Sequence, residues 1–244
     1  MEKIKLSSSN LKGFIYGTLL GDSKIERNGK VFSSKQISKD LIDFKYMILN
    51  EHFQNVTYNI IPAYFDGKWN HQTLYEVRVK EEYFKKIFPR FYDDKRKFLT
   101  MEQLQALNVL GLAMWYADDG CAALIGAKRN NGRPVNRRIE ICTENFTWQE
   151  CELIQKYFKL FYNWDVRLIR RNSTDRCRIR FTILDGQEFL ALISPYFLEY
   201  FPSMLYKLDL AYDNKNDNYE RLTTINYRNL MERVKIHKDY RPRI

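Results

Sequence analysis

Two aspartates about one hundred residues apart, Asp22 and Asp119, each close a short apolar helical pattern. The first pattern is Ile15-Tyr16-Gly17-Thr18-Leu19-Leu20-Gly21-Asp22-Ser23, and the second is Leu112-Ala113-Met114-Trp115-Tyr116-Ala117-Asp118-Asp119-Gly120. Carbonyls in the last turn of a helix have no partner inside the helix, and the helix dipole is negative there. A carboxylate at that end is poorly placed for stability. It is well placed to bind a divalent cation, with a main-chain carbonyl as a second hard oxygen ligand. An ordinary helix-ending aspartate before a turn accounts for either residue alone, but accounts poorly for two in register within one chain. Two halves meeting at a shared site are expected instead, where the paired carboxylates would repel and one pKa would rise unless a cation lay between them.

The helices that deliver these carboxylates carry a packing signal of their own. Gly13, Gly17 and Gly21 recur every four residues and so lie along one helix face. Each interior glycine costs up to about 1 kcal/mol relative to alanine, a loss that close approach of another helix offsets. Ala113 and Ala117 give the second helix a small-residue strip. With the two patterns aligned end to end, Met114 matches Gly17 and Asp118 matches Gly21, so the seam is asymmetric.

The remaining elements repeat around these two helices. The first, over about residues 10–22, leads to a hairpin, Lys24 to Arg27 and Lys30 to Ile37, turned by Asn28-Gly29. Leu41, Phe44, Ile48 and Phe53 mark a second helix. Val56 to Phe65 and Gln72 to Lys80 form a second hairpin across Asp66-Gly67, and Glu81 to Tyr92 a third helix disturbed by Pro89. The later residues follow the same order. A helix over about 104–119 precedes strands near 121–127 and 137–143, and a capping box at Thr147 and Glu150 starts a helix to about Tyr162. Strands near 164–171 and 176–184 and a helix over about 186–200 complete the second round. A duplication of about one hundred residues is too long for a solenoid unit and describes two half-domains, 1–100 and 101–212. Residues 213–244 are polar and have no counterpart after the first half.

The strands are rich in cations. Arg176, Arg178 and Arg180 alternate with Cys177, Ile179 and Phe181, which puts three arginines on one sheet face. Arg167, Arg170 and Arg171 lie on the paired strand, and Lys128, Arg129, Arg133, Arg137 and Arg138 fill a stretch without an acidic residue. In the first half Lys24, Arg27, Lys30 and Lys35 flank the early hairpin, and Arg78 and Lys80 share a strand face. Like charges facing one another destabilise a hairpin, which an anionic partner would relieve. A sheet face fits the DNA major groove, where arginine reads guanine edges.

Composition agrees with this picture. With 45% hydrophobic and 15% aromatic residues the chain can bury a sizeable core, and a formal net charge of +10 favours nucleic acid over a membrane surface as partner. The four cysteines, Cys121, Cys142, Cys151 and Cys177, form no Cys-x-x-Cys pair, and with three histidines they offer no zinc site. Four free thiols in an intracellular, non-secreted protein are expected. Abundant Lys, Asn, Ile, Tyr and Phe suit an A/T-rich genome, whether the chain acts in an organelle or the cytoplasm.

Over about residues 10–212 the chain resembles the LAGLIDADG homing endonucleases, specifically the single-chain, two-repeat members encoded by mobile introns. Ala117-Asp118-Asp119-Gly120 is similar to the second motif of the mitochondrial-intron type, as is Met204-Leu205-Tyr206-Lys207-Leu208. The resemblance implies an α+β fold of two pseudo-symmetric αββαββα half-domains. Their antiparallel, saddle-shaped sheets would bind DNA and their motif helices would join at the interface. It further implies magnesium, with manganese as a substitute, held by Asp22 and Asp119 with carbonyls of Gly21 and Asp118. Basic pocket residues map to Lys207 and to Lys97, with Lys95 competing for the second place, and Gln36 maps to a residue that orients water. Ser23 departs from the family's usual Gly or Ala, and residues 213–244 have no place in the pattern.

The function so implied is a double-strand break with short 3′ overhangs at a long asymmetric DNA target, made by a monomer. An RNA-splicing maturase, acting on intron RNA alone or in addition, and a non-cleaving DNA-binding regulator are the alternatives. Intact aspartates and lysines disfavour the regulator. No Gly-rich phosphate loop points to an NTPase.

Overall fold

The computed structural model describes residues 4–93, 96–125, 136–170 and 176–208. In chain order these form α1 (Ser8–Leu20), β1 (Lys24–Ile25), β2 (Val31–Gln36), α2 (Lys39–His52), β3 (Val56–Ile61), β4 (Tyr64–Phe65), β5 (Asn70–His71), β6 (Leu74–Lys80) and α3 (Tyr83–Phe91). There follow α4 (Met101–Gln105), α5 (Val109–Asp119), β7 (Gly120–Ile125), β8 (Asn136–Cys142), α6 (Trp148–Tyr162), β9 (Val166–Arg170), β10 (Cys177–Phe181), α7 (Ile183–Tyr200) and a 3-10 turn, Pro202–Leu208. The fold is α+β with antiparallel sheets.

Two compact units result, and they are not simple halves of the sequence. The first comprises Met1–Lys97, Ala106–Asp118 and Glu199–Ser203; the second comprises Phe98–Gln105, Asp119–Leu198 and Met204–Ile244. Most of α5 thus belongs with the N-terminal elements.

In the first unit the sheet order is β1-β2-β6-β3, all antiparallel. Alternation sends Phe32, Ser34, Val77 and Val79 to the buried face and Ser33, Lys35, Glu76, Arg78 and Lys80 to the other. Gly29, at φ +71°, turns the first hairpin in the conformation its Asn-Gly sequence favours. α2 starts at Ser38, whose hydroxyl accepts from the Leu41 amide, and its Leu41, Phe44, Ile48 and Leu49 are buried. From α3, Phe84 stacks on Phe32 and Phe91 meets Tyr16 edge-on. Phe44 stacks on Tyr200.

α1 and α5 form the centre of this unit. Gly13 through Leu20 and Leu110 through Asp118 are all buried, as expected of helices covered on every side. A Cβ at Gly17 would lie 2.0 Å from the carbonyl oxygen of Gly111, and one at Gly111 would lie 2.4 Å from that of Gly13. At Gly13 and Gly21 the nearest atoms belong to Asn108 and Asp118. The seam on α5 therefore runs through Asn108, Gly111 and Asp118. Ala113 and Ala117, expected to line it, are buried but are not among the nearest neighbours of the α1 glycines. At 100° per residue they point away from the face that Gly111 and Asp118 share. The single helix expected over 104–119 is two helices, because Asn108 caps the second: its carboxamide oxygen accepts from the Gly111 amide at 2.8 Å.

The second unit repeats the sheet order as β7-β8-β10-β9. α6 begins with the expected capping box at Thr147 and Glu150 and ends at Asn163, in the left-handed conformation with φ 56°. A second oxygen of Glu150 accepts from the Leu99 amide at 2.8 Å, tying the segment before α4 to α6. Cys151 and Cys177 are joined as a disulfide between α6 and β10, so the expectation of four free thiols holds for Cys121 and Cys142 only. The inward side of β10 faces α6, which brings these two fully buried residues together. No helix among the described residues is long and apolar enough to cross a membrane.

The seam predicts a large effect from one methyl group. Gly17→Ala should cost about 3 kcal/mol through overpacking against backbone, and so lower the melting temperature by roughly 2–4 °C per kcal/mol. Differential scanning calorimetry of the two proteins checks this.

Candidate active site and nucleic-acid face

Asp22 lies just beyond α1, after the Gly21 cap, with its side chain exposed. Its main-chain N–H donates to Asp118 Oδ2 at 3.3 Å. Gln36, the last residue of β2, donates from Nε2 to Asp22 Oδ2 at 2.5 Å and to Asp118 Oδ1 at 3.3 Å. Lys97 reaches the same end of α1 and donates to the carbonyls of Gly21, at 3.0 Å, and Ser23, at 3.1 Å. Four residues singled out from the sequence, Asp22, Gln36, Asp118 and Lys97, are thus gathered around Gly21.

Asp118, unlike Asp22, is turned inward. Its side chain is 0% exposed and ion-paired with an equally buried Lys45, whose ammonium lies 2.8 Å from Oδ1 and 3.0 Å from Oδ2. Lys45 also donates to the Ser34 hydroxyl at 3.0 Å. Sequence reasoning missed Lys45, though a signal was present. It stands within the apolar stripe Leu41, Phe44, Ile48, and a lysine there must find a counter-charge.

In the second unit Asp119 ends α5 and is half-buried. Burial, then the charge of Glu144 and, less, that of Asp119 push the Cys142 thiol up to about 11. Lys207 is half-buried in the 3-10 turn of the same unit.

The basic strand faces differ from expectation in one respect: acidic residues sit among the cations. Arg178 and Arg180 both reach Glu140, at 3.8 and 2.7 Å, and Arg138 lies 3.3 Å from it. Arg178 also bonds Glu144. In the first unit Arg78 bonds Glu26 at 2.6 Å, Lys35 lies 3.8 Å from Glu76 and Lys30 lies 2.7 Å from Glu82. The repulsion between neighbouring arginines is therefore relieved within the protein, without need of an outside anion. Glu140 follows Arg138 by two residues, so period two places it on the arginine face, which the sequence already contained.

Arg170 leaves that face. Its guanidinium lies 5.1 Å from the centre of the Trp148 ring, on the α6 side of the sheet. Arg167 and Arg176 are exposed, as are Lys24, Arg27 and Lys80. Lys95, Lys128, Arg129, Arg133 and Arg171 lie outside the described residues, as does the side chain of Arg137.

A buried glycine-seamed helix pair leading to Asp22 and Asp119, together with two sheets of repeated strand order, is matched by a known family. The model of the LAGLIDADG DNA endonuclease family matches residues 12–189. The chain belongs to that family. Among its relatives, protein RecA of Mycobacterium leprae is 37% identical over 206 residues, covering 80% of this chain. The chain spans only 27% of that relative's length. The DNA endonuclease I-ChuI of Chlamydomonas applanata is 26% identical over 207 residues, with 77% of this chain and 90% of I-ChuI covered. The homing endonuclease I-WcaI, solved bound to its DNA recognition sequence, shares the fold with a TM-score of 0.67 and 18% identity, over 84% of this chain and 88% of I-WcaI.

Glu140 is the hub of the second unit's arginines, and hydrogen bonds to charged groups contribute about 1.5–3 kcal/mol each. Because the guanidiniums remain partly exposed, Glu140→Gln should cost no more than about 2 kcal/mol in total. Urea unfolding monitored by tryptophan fluorescence measures it.

Proposed function

We propose that this chain is a site-specific homing endonuclease that hydrolyses one phosphodiester on each strand of a long, asymmetric DNA target and leaves short 3′ overhangs. The single observation that carries the reading is the exposed Asp22 carboxylate at the end of the seam helix, with Gln36 against it and the Lys97 ammonium on the adjoining carbonyls. Family membership supports nuclease chemistry, and the fold likeness to I-WcaI, which was solved on its DNA recognition sequence, supports a duplex partner.

The donors suit a hard divalent cation, magnesium or manganese. A lysine ammonium rests on the Gly21 and Ser23 carbonyls, so the helix end is a place where positive charge is favoured. Asp118 is neutralised by Lys45, which leaves Asp22 as the carboxylate offered to a metal in the first unit. One carboxylate with carbonyl, water and phosphate oxygens is the ligand set magnesium commonly takes. Asp22 with the Gly21 carbonyl would hold metal at the end of α1, and Asp119 with the Asp118 carbonyl would hold metal at the end of α5. When bound, a divalent ion supplies polarisation of the phosphate and activation of water. Gln36 orients water from its place beside Asp22. Lys97 and Lys207 add positive charge where the pentavalent phosphate becomes more negative.

Lys24, Lys35, Arg78, Arg178 and Arg180 would meet phosphates and base edges. The glutamate partners of Lys35, Arg78, Arg178 and Arg180 restrict these side chains, so that DNA exchanges with an existing ion pair rather than ordering a free one.

Asp22→Asn and Asp119→Asn should each abolish cleavage in magnesium while leaving DNA affinity largely intact. Retained cutting in both variants would contradict the assignment. The affinity of the unaltered protein should fall steeply with salt, as roughly ten phosphate contacts require. A gel-shift series in chloride checks that slope, and a flat response argues against the basic strand faces as the interface.

A further inference from the structure

Behind the exposed Asp22 lies a buried ion pair that the proposed chemistry does not use. The Lys45 ammonium has three N–H donors, and it has three oxygen acceptors within reach: Asp118 Oδ1 at 2.8 Å, Asp118 Oδ2 at 3.0 Å and Ser34 Oγ at 3.0 Å. Both charged side chains are 0% exposed. Taking each ion out of water costs several kcal/mol, and well-packed apolar residues of similar volume often stabilise a fold at least as well as such a pair. Stability alone is therefore a weak reason for this one.

Its outward contacts suggest another. The same Asp118 carboxylate accepts the Asp22 main-chain N–H through Oδ2 and the Gln36 amide through Oδ1, while that Gln36 amide also donates to Asp22 Oδ2. A Cβ at Gly21 would lie 2.6 Å from the Asp118 Cβ and 2.7 Å from Oδ2. The third glycine of the seam is thus what admits this carboxylate beside the Asp22 main chain. By motif alignment Gly21 and Asp118 hold the same place in their two helices. A motif helix thus needs no charge there, and the carboxylate is particular to the arrangement around Asp22.

We propose that Lys45 and Asp118 are positioning residues for the Asp22 site: the Asp118 side chain fixes the Gln36 amide and the Asp22 main chain, and Lys45 holds Asp118 in that place. This rests on the nuclease reading above for its consequence in catalysis, but its geometric core does not. Gln36 acts on the reaction; Lys45 and Asp118 act through Gln36 and Asp22.

The test uses the full chain with Lys45→Met, Lys45→Met with Asp118→Leu, and Asp118→Asn, and adds Gln36→Ala to the unaltered protein and to the double variant. Removing one partner of a buried pair is strongly destabilising, so Lys45→Met alone should lower both the melting temperature and cleavage. The double variant should recover the melting temperature yet cut about 10- to 100-fold more slowly in single turnover with magnesium, the usual cost of losing a supporting contact beside a metal site. Its DNA affinity should be unchanged. Gln36→Ala should slow the unaltered protein but have no further effect in the double variant, since Gln36 is no longer held. Asp118→Asn keeps the volume should the double variant not fold; it too leaves one charge unmatched, so its rate is read well below its own melting temperature. Its carboxamide has only one oxygen, so either the Asp22 N–H or the Gln36 amide meets a donor, and cleavage should again fall. Recovery of the full rate together with stability in the double variant would overturn the proposal and leave the pair purely structural.

A second readout separates this from failure of the nuclease reading. With glutamine labelled by 15N, the Gln36 side-chain amide should be shifted and protected in the unaltered protein. In the double variant, or in Asp118→Asn, it should become solvent-like. If no DNA is cut by any form but this change occurs, the positioning stands and the nuclease reading has failed. An amide signal identical in all forms overturns the positioning itself.

Discussion

The first unit depends on two helix backbones brought closer than any side chain allows. With a Cβ at position 17 only 2.0 Å from the Gly111 carbonyl, α1 and α5 can pack this way only if both residues are glycine. The cost in helix propensity is about 1 kcal/mol for each glycine. The gain is that both motif helices become core elements, buried along the stretches that lead to Asp22 and to Asp119. The same approach leaves room at Gly21 for the Asp118 carboxylate, and so determines which acidic groups point outward and which must be neutralised within.

That neutralisation is the second theme of the molecule. Charges on both sheets are arranged as contacts between unlike residues on one strand face. Glu140 lies among Arg138, Arg178 and Arg180, Glu76 is paired with Lys35 and Glu26 accepts from Arg78. With 40 basic residues against 30 acidic, pairing of this kind cannot cancel the surplus. It spaces the surplus and fixes its direction, which suits recognition of a regular polyanion better than a loose cluster of repelling side chains would.

Much of this was legible in the sequence where the signal is local. Asn28-Gly29 turns a hairpin, Thr147 and Glu150 build a capping box, and the four-residue spacing of Gly13, Gly17 and Gly21 marks a close helix contact. The repeated sheet order follows from the repeated order of elements. What was not legible depends on distant partners. Lys45 and Asp118 are far apart in the chain, and nothing near either names the other. Gly111, rather than Ala113 or Ala117, faces the seam because Asn108 restarts the helix and so sets its phase. Arg170 turns to Trp148 because alternation puts it on the opposite face from Arg178 and Arg180, a point the count of arginines obscured.

The proposed function has one chain cutting both strands of a particular DNA sequence with a divalent metal. Selection of cleaved molecules from a randomised or genomic duplex library in magnesium tests it most directly. The expected result is a single long asymmetric site, broken on both strands with short 3′ overhangs and untouched when the metal is chelated. Recovery of no site, or cutting that persists at full rate in chelator, would contradict it.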